Sequence, residues 1–198
     1  MARVRIEQIR RRELAVAAYE ILQEAGIAGT TLAKVAERAG MSKGIVLHYF
    51  SNKDSLLEAV MRLANALLRD EVIARMQKAK GPRERIEAIV AGNFAPSFFH
   101  PEICNAWLSF CAEVSRNREF ARIQRVIHAR MRSNLLSGLR ALLPEPDAEA
   151  AAIGITAMID GLWLRFGLSL GGITRDQALD EMGRYLEQWL GKGGRARA

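Results

Sequence analysis

The sequence predicts an all-α protein of about nine helices, and three observations carry that prediction. Apolar residues recur at i, i+3, i+4 and i+7 through almost the whole chain. Glycines, prolines and capping residues cut this periodicity into helix-sized segments. No segment alternates apolar and polar residues for long enough to make a strand. A length of 198 residues suffices for a well-buried core, in one domain or two small ones.

In order along the chain, Leu14, Ala17, Ala18, Ile21, Leu22 and Ala25 form one stripe, and Gly26 stops that helix. Thr30-Thr31 cap a short second helix carrying Leu32, Val35, Ala36 and Ala39, which ends at Gly40. Ser42 caps a third helix, and Ser51-Asn52 cap a fourth that has Asp54 in its first turn. The fourth helix runs to about residue 77 with Leu56, Leu57, Val60, Leu63 and Leu67 as its apolar residues. Gly81-Pro82 opens a fifth, and Pro96 and Pro101 bracket a break. A sixth helix covers about 102–114 and a seventh roughly 117–143, where Pro144 and Pro146 end it. The stretch from Asp147 to about Leu170 is long and apolar, Gly171-Gly172 interrupts it, and Thr174 caps a last helix to Leu190. The closing KGGRARA reads as a basic, frayed tail over 192–198.

Charge separates the two ends from the middle. Residues 1–53 carry nine Lys/Arg against five Asp/Glu, whereas residues 54–191 carry seventeen of each. The tail completes the net charge of +7, so an acidic partner is expected to meet the N-terminal segment. The opening MARVRIEQIRRREL has the charges of a secretion signal, but Glu20 and Glu24 interrupt the apolar stretch that should follow. Cys104 and Cys111 lie about 10 Å apart along one helix, too far for a disulfide, and the three histidines lack metal-ligand spacing. A cytoplasmic protein with free thiols, no metal and no cofactor is expected.

The stretch G-M-S-K-G-I-V-L-H-Y-F, residues 40–50, raises the functional question. A short helix at 31–39, a turn at Gly40-Met41 and another short helix at 42–50 have helix-turn-helix spacing. Met41, Val46 and Phe50 can point inward, leaving Lys43, Gly44, Leu47 and His48 outward with Tyr49 at the edge. Small residues at the helix start let it approach another surface closely, as a helix entering a major groove must. A phosphate near Thr31 would meet a hydroxyl and the positive end of the second helix. Lys53 sits where the helix dipole disfavours a cation, and either a nearby phosphate or plain solvent exposure would explain it.

The segment from Thr31 through G-M-S-K-G-I-V-L-H-Y-F-S-N-K-D-S-L-L resembles the DNA-binding domain of tetracycline-repressor-like (TetR) regulators over about residues 8–68. Ser42, Gly44, Tyr49, Phe50, Lys53 and Leu56 fall in register with that family's pattern, while Val46 and Leu47 stand where the family usually has Leu-Tyr. The resemblance implies that Thr31, Tyr49 and Lys53 hold phosphates and that Lys43, Gly44, Ile45 and His48 face the groove; Leu47, outward by its spacing, replaces a tyrosine that in the family frequently contacts the DNA backbone. It also implies a helix-turn-helix domain at 1–53 and a helical ligand-binding and dimerisation domain at 54–191. A single head reads few base pairs, so the expected partner is double-stranded operator DNA with an inverted repeat, met by a homodimer. Leu162, Phe166, Leu179, Met182, Leu186 and Trp189, on the last two helices, are the candidates for the contact between copies.

Most of the aromatic residues lie between Phe94 and Phe166. Trp107 and Phe110 share a helix face, as do Asp160 and Trp163 in A-M-I-D-G-L-W-L-R-F-G. Asp160 and Arg165 argue against a membrane span there. A carboxylate among aromatic rings is the composition of an organic-cation site, and it is equally that of a core helix with an ion-paired acid. The strings I-V-A-G-N-F, A-W-L-S-F and I-D-G-L-W-L-R, with I-R-R-R-E-L near the start, resemble a branch of the same family, the choline-sensing repressors of glycine-betaine synthesis. That resemblance implies choline as effector and Phe94, Trp107, Phe110, Asp160 and Trp163 as its site. Two other readings stay open: a repressor of an efflux or catabolic operon answering another lipophilic cation, and a helical enzyme or lipid-binding bundle. The last finds no G-x-S-x-G, nucleotide loop, H-E-x-x-H or Cys-His pairing in the sequence.

Overall fold

The computed structural model describes residues 2–168 and 172–191, with side chains from Ile6 onward. The tail expected at 192–198, and Leu170 and Gly171 at the expected break, lie outside the described residues, whereas Gly172 of that break lies within them at φ 67°. Among the described residues there are nine helices and no strand. These are α1 (Ala2–Gly29), α2 (Leu32–Arg38), α3 (Lys43–Tyr49), α4 (Lys53–Met76), α5 (Pro82–Asn93), α6 (Pro101–Glu113), α7 (Arg118–Leu139), α8 (Glu145–Gly167) and α9 (Arg175–Leu190).

Local chemistry sets most of these boundaries. Gly26, at φ 63°, interrupts helical geometry inside α1, and the Thr30 hydroxyl donates to its carbonyl at 2.9 Å. Thr31, Ser42, Asn52, Asn117 and Thr174 each cap a following helix by accepting backbone N–H groups, with full capping boxes at Asn52 and Thr174. The α2 helix ends in a Schellman motif: Met41 N–H donates to the Ala36 carbonyl at 2.9 Å and Gly40 N–H to Glu37 at 3.1 Å. That motif requires the left-handed backbone found at Gly40, φ 63°, which fixes the angle between α2 and α3. Pro146 does not delay α8, because proline is tolerated in a first turn where no N–H partner is lost.

The helices α1, α2 and α3 form the head. Leu14, Ala18, Leu22, Val35, Val46 and Phe50 are buried together, and Leu56 of α4 joins them. Truncating a fully buried aromatic such as Phe50 costs about 3–5 kcal/mol. The Arg38 guanidinium straps α2 to α1, meeting both Glu24 carboxylate oxygens at 3.1 and 2.7 Å. The body packs α4 on α5, α5 on α7 and α9, and α8 against α6, α7 and α9. The head is not joined to the body through α4 alone, since α1 packs on α6 as extensively as it packs on α4.

The α8 helix is long and apolar enough to cross a membrane by length and composition. Its hydropathy is that of a central core helix. Ala151, Ala152, Ile155, Ile159, Leu162 and Trp163 are buried between α6, α7 and α9. Three of the six residues expected between copies, Leu162, Met182 and Leu186, are therefore corrected: they are buried in the chain's own core. Phe166 stacks on Phe99 at 4.2 Å, and Leu179 and Trp189 are half-buried against the same core. The large apolar residues left exposed on α8 and at its C-cap are Ile153, Leu164 and Leu168.

Candidate functional site

At the head, α3 buries only Val46 of its seven residues and hangs on the core by that side chain and by Phe50, its C-cap. Lys43, Gly44, Ile45, Leu47 and His48 are all exposed, with Ile45 45% and Leu47 43% accessible. A Cβ added at Gly44 would touch little, its nearest neighbour being Ser42 Oγ at 3.8 Å, so the space before the helix is open. Gly44, Ile45, His48 and Tyr49 line one side of a shallow concavity of about 590 Å³, and Arg10 closes it from α1. His48 and Tyr49 meet edge to face at 5.1 Å. Lys43 and Leu47, four residues apart, form a second exposed strip beside this concavity.

The three residues expected to hold phosphates are arranged differently from one another. Thr31 is exposed, and its oxygen accepts from Lys34 N–H at 3.2 Å, leaving the hydroxyl proton free to donate. Tyr49 is half-buried, and its carbonyl accepts from the Arg11 guanidinium, whose plane lies 4.5 Å over the Phe50 ring. Lys53 is neither simply solvated nor free. Its ammonium donates to the Ile27 carbonyl at 2.7 Å, capping the last turns of α1 with positive charge. Arg10 and Arg11 were missed as part of this face; their signal was the run I-R-R-R-E-L, which charge alone does not resolve into a wall and a strut.

A small, partly open apolar cavity of about 50 Å³ lies where the head meets the body. Its walls are Tyr19 and Leu22 from α1, Val60, Met61, Ala64, Asn65 and Leu68 from α4, and Phe98, Ile103, Ala106, Trp107 and Trp163 from the body. Trp107 and Trp163 meet edge to face at 5.7 Å. Trp163 is fixed by its indole N–H, which donates to the Asn93 carbonyl at 3.1 Å. One turn later Gly167 lets α8 lie close on α6, since a Cβ there would stand 2.9 Å from the Cys104 carbonyl carbon. That contact sets the depth at which Trp163 enters.

Of the five residues expected around a cation, Trp107 and Trp163 line this cavity and the other three do not. Phe94 is fully buried behind it, edge to face with Phe99 at 4.9 Å, and Phe110 packs on Phe120 at 4.8 Å. Asp160 points elsewhere. Three residues along a helix fall about 60° short of a full turn, and in this bundle that offset turns Asp160 toward α7, where its carboxylate lies 3.9 Å from His128 Nε2. Burial holds its carboxyl above the ordinary range, partly offset by His128; burial, with the Asp160 charge adding to it, pushes the Cys111 thiol up to about 11. Among the described residues no carboxylate lines the cavity. Tyr19 and Phe98 do line it and were missed: Tyr19 lies in the segment read as head, and Phe98 in the break between two prolines.

Comparison with known proteins agrees with both halves. Residues 14–60 match the model for bacterial regulatory proteins of the tetR family, and residues 82–191 match that for the C-terminal part of BetI-type transcriptional repressors. The HTH-type transcriptional regulator BetI 1 of Chromohalobacter salexigens is 41% identical over 193 residues, covering 97% of this chain and 96% of that one. The BetI regulator of Rhizobium meliloti is 38% identical over 194 residues, covering 98% and 96%. Among solved structures, a transcriptional regulator from Pseudomonas aeruginosa superposes with a TM-score of 0.74 at 26% identity, covering 91% of this chain and 90% of that one. A regulator from Saccharomonospora viridis, solved in complex with choline, has the same fold, with a TM-score of 0.80 at 19% identity and coverage of 91% and 96%.

Proposed function

The chain belongs to the TetR family of bacterial regulatory proteins, with a C-terminal domain of the BetI type, and from that premise we propose that it represses genes of the choline-to-glycine-betaine pathway until choline releases it from its operator. It is a DNA-binding transcriptional regulator, not an enzyme. The observation that carries the effector reading is the position of the cavity. Two of its walls, α1 and α4, belong to or lead into the head, and the opposite walls, with both tryptophans, belong to the body.

Indole faces attract quaternary ammonium, each contact giving about 0.5–2 kcal/mol. Without a carboxylate in the cavity, the π faces of Trp107 and Trp163, with Phe98 and Tyr19, carry that attraction. Phe99, itself packed on Phe94, meets the Trp163 ring edge to face, and Asp160 acts at a distance at most. The present volume is far below the roughly 300 Å³ lower end of small-molecule sites, so a bound cation must push its walls apart. Displacing α1 and α4 from α6 and α8 rotates the heads. Choline then favours a form whose heads no longer fit successive major grooves, roughly 34 Å apart. The small volume also supports choline over a bulky lipophilic cation as effector.

Two heads require two copies, and the α8 stripe of Ile153, Leu164 and Leu168 is the apolar surface for that contact; Ile153 is 66% exposed. At each operator half-site Lys43, Gly44, Ile45, Leu47 and His48 face the groove, and Thr31, Tyr49 and Lys53 meet phosphates. As a regulator of transcription the protein works in the cytoplasm.

Calorimetric titration with choline tests the effector site. Trp163→Ala is expected to abolish choline binding, whereas Asp160→Asn is expected to leave the dissociation constant within about twofold, as a group remote from the ligand should. Loss of binding in Asp160→Asn with retention in Trp163→Ala would place the cation on the α7 side of α8 instead.

A further inference from the structure

Tyr19 lines the cavity from the head and carries a buried polar atom that is without a partner among the described residues. It is 7% exposed, and its hydroxyl oxygen, shielded from solvent, has no hydrogen-bond partner among the described residues. Hydroxyls sealed in this way normally find a partner, and leaving one unpaired costs stability. Burial pushes the phenol up to about 12, so it stands as a neutral O–H donor at physiological pH. The ring, with Phe98, separates the cavity from an open surface hollow beside Gln23, Leu67 and Ser97. The shielded hydroxyl is therefore not served by that hollow.

Of the cavity's other polar groups, Asn65 Nδ2 donates one N–H to the Met61 carbonyl at 2.9 Å and the Trp163 indole N–H is held by the Asn93 carbonyl. The cavity thus offers π faces for a cation and, sealed in its wall, an O–H donor with no partner among the described residues. A quaternary ammonium alcohol has the matching pair of features, a methylated cation for the rings and an oxygen a short chain away. We propose that the Tyr19 hydroxyl is the hydrogen-bond anchor for the effector's oxygen, so that the effector is held by the head's own first helix as well as by the body. This rests on the effector reading above and adds to it. Coupling to the DNA-reading face then starts at the ligand itself, because the same α1 carries Arg10 and Arg11 two turns earlier, against α3.

The test uses the full chain and two cations, choline and tetramethylammonium, which lacks the oxygen, with the isosteric change Tyr19→Phe. Calorimetry is expected to show choline weakened about tenfold in Tyr19→Phe while tetramethylammonium is unchanged. Removing an unpaired buried hydroxyl is also expected to raise the melting temperature of the ligand-free protein by about 2–4 °C. A merely structural tyrosine would lower it and would weaken both cations alike. Equal choline affinity in wild type and Tyr19→Phe, or equal losses for both cations, overturns the anchor while leaving the cavity reading intact. Wild-type protein that binds neither cation overturns both.

Discussion

A lysine at the start of a helix is unfavourable by dipole logic, and Lys53 shows how the surroundings reverse that sign. Its ammonium reaches the C-terminal end of α1, where exposed carbonyls favour a cation. One residue thereby ties α4 to the head. Lys43 has no such attachment; it is exposed at the first turn of α3. The two lysines should separate cleanly. Lys53→Ala is expected to lower unfolding stability by about 1–2 kcal/mol and to weaken all DNA sequences alike. Lys43→Ala should leave stability within about 0.5 kcal/mol and change the preference between operator variants by about 1–3 kcal/mol. Denaturant unfolding and salt-series DNA titration measure both, and a Lys43→Ala loss shared equally by random DNA would remove it from base reading.

At the scale of elements, α8 presents two faces with different duties. Its inner face carries Trp163 to the cavity and Gly167 onto α6; its outer stripe of Ile153 and Leu164, continued by Leu168 at the C-cap, is exposed among the described residues. Ile153→Arg is expected to yield a monomer at micromolar concentration with unchanged helix content, as read by sedimentation and circular dichroism. A dimer that survives this change would move the contact elsewhere. The helix boundaries were legible in the sequence because caps and glycines act locally: Thr31, Ser42, Gly40 and Thr174 do what their neighbours alone dictate. The rotation of each helix was less legible. Leu162, Met182 and Leu186 look like surplus apolar area until α9 is laid on α8, and Asp160 looks coplanar with Trp163 until α7 claims its side. The aromatic content of the site could be read, but Tyr19 could not, since its part in the cavity depends on α1 packing against α6, some eighty residues away in sequence.

For the whole molecule, the cavity lies at the junction where head and body are pressed together, so occupancy and head position are two views of one equilibrium. A ligand can shift that equilibrium only by its differential affinity for the two forms, and the coupling must act equally in both directions. If the heads can fit the operator only while α1 and α4 are closed on α6 and α8, DNA opposes the expansion that choline requires. The most direct measurement is the choline dissociation constant of the full-length protein, taken free and again with saturating operator duplex. It should rise on the operator by the same factor by which saturating choline raises the operator's own dissociation constant, a factor of about 5–150 for typical couplings. Identical choline affinity in the free and operator-bound protein would contradict release of DNA through this cavity.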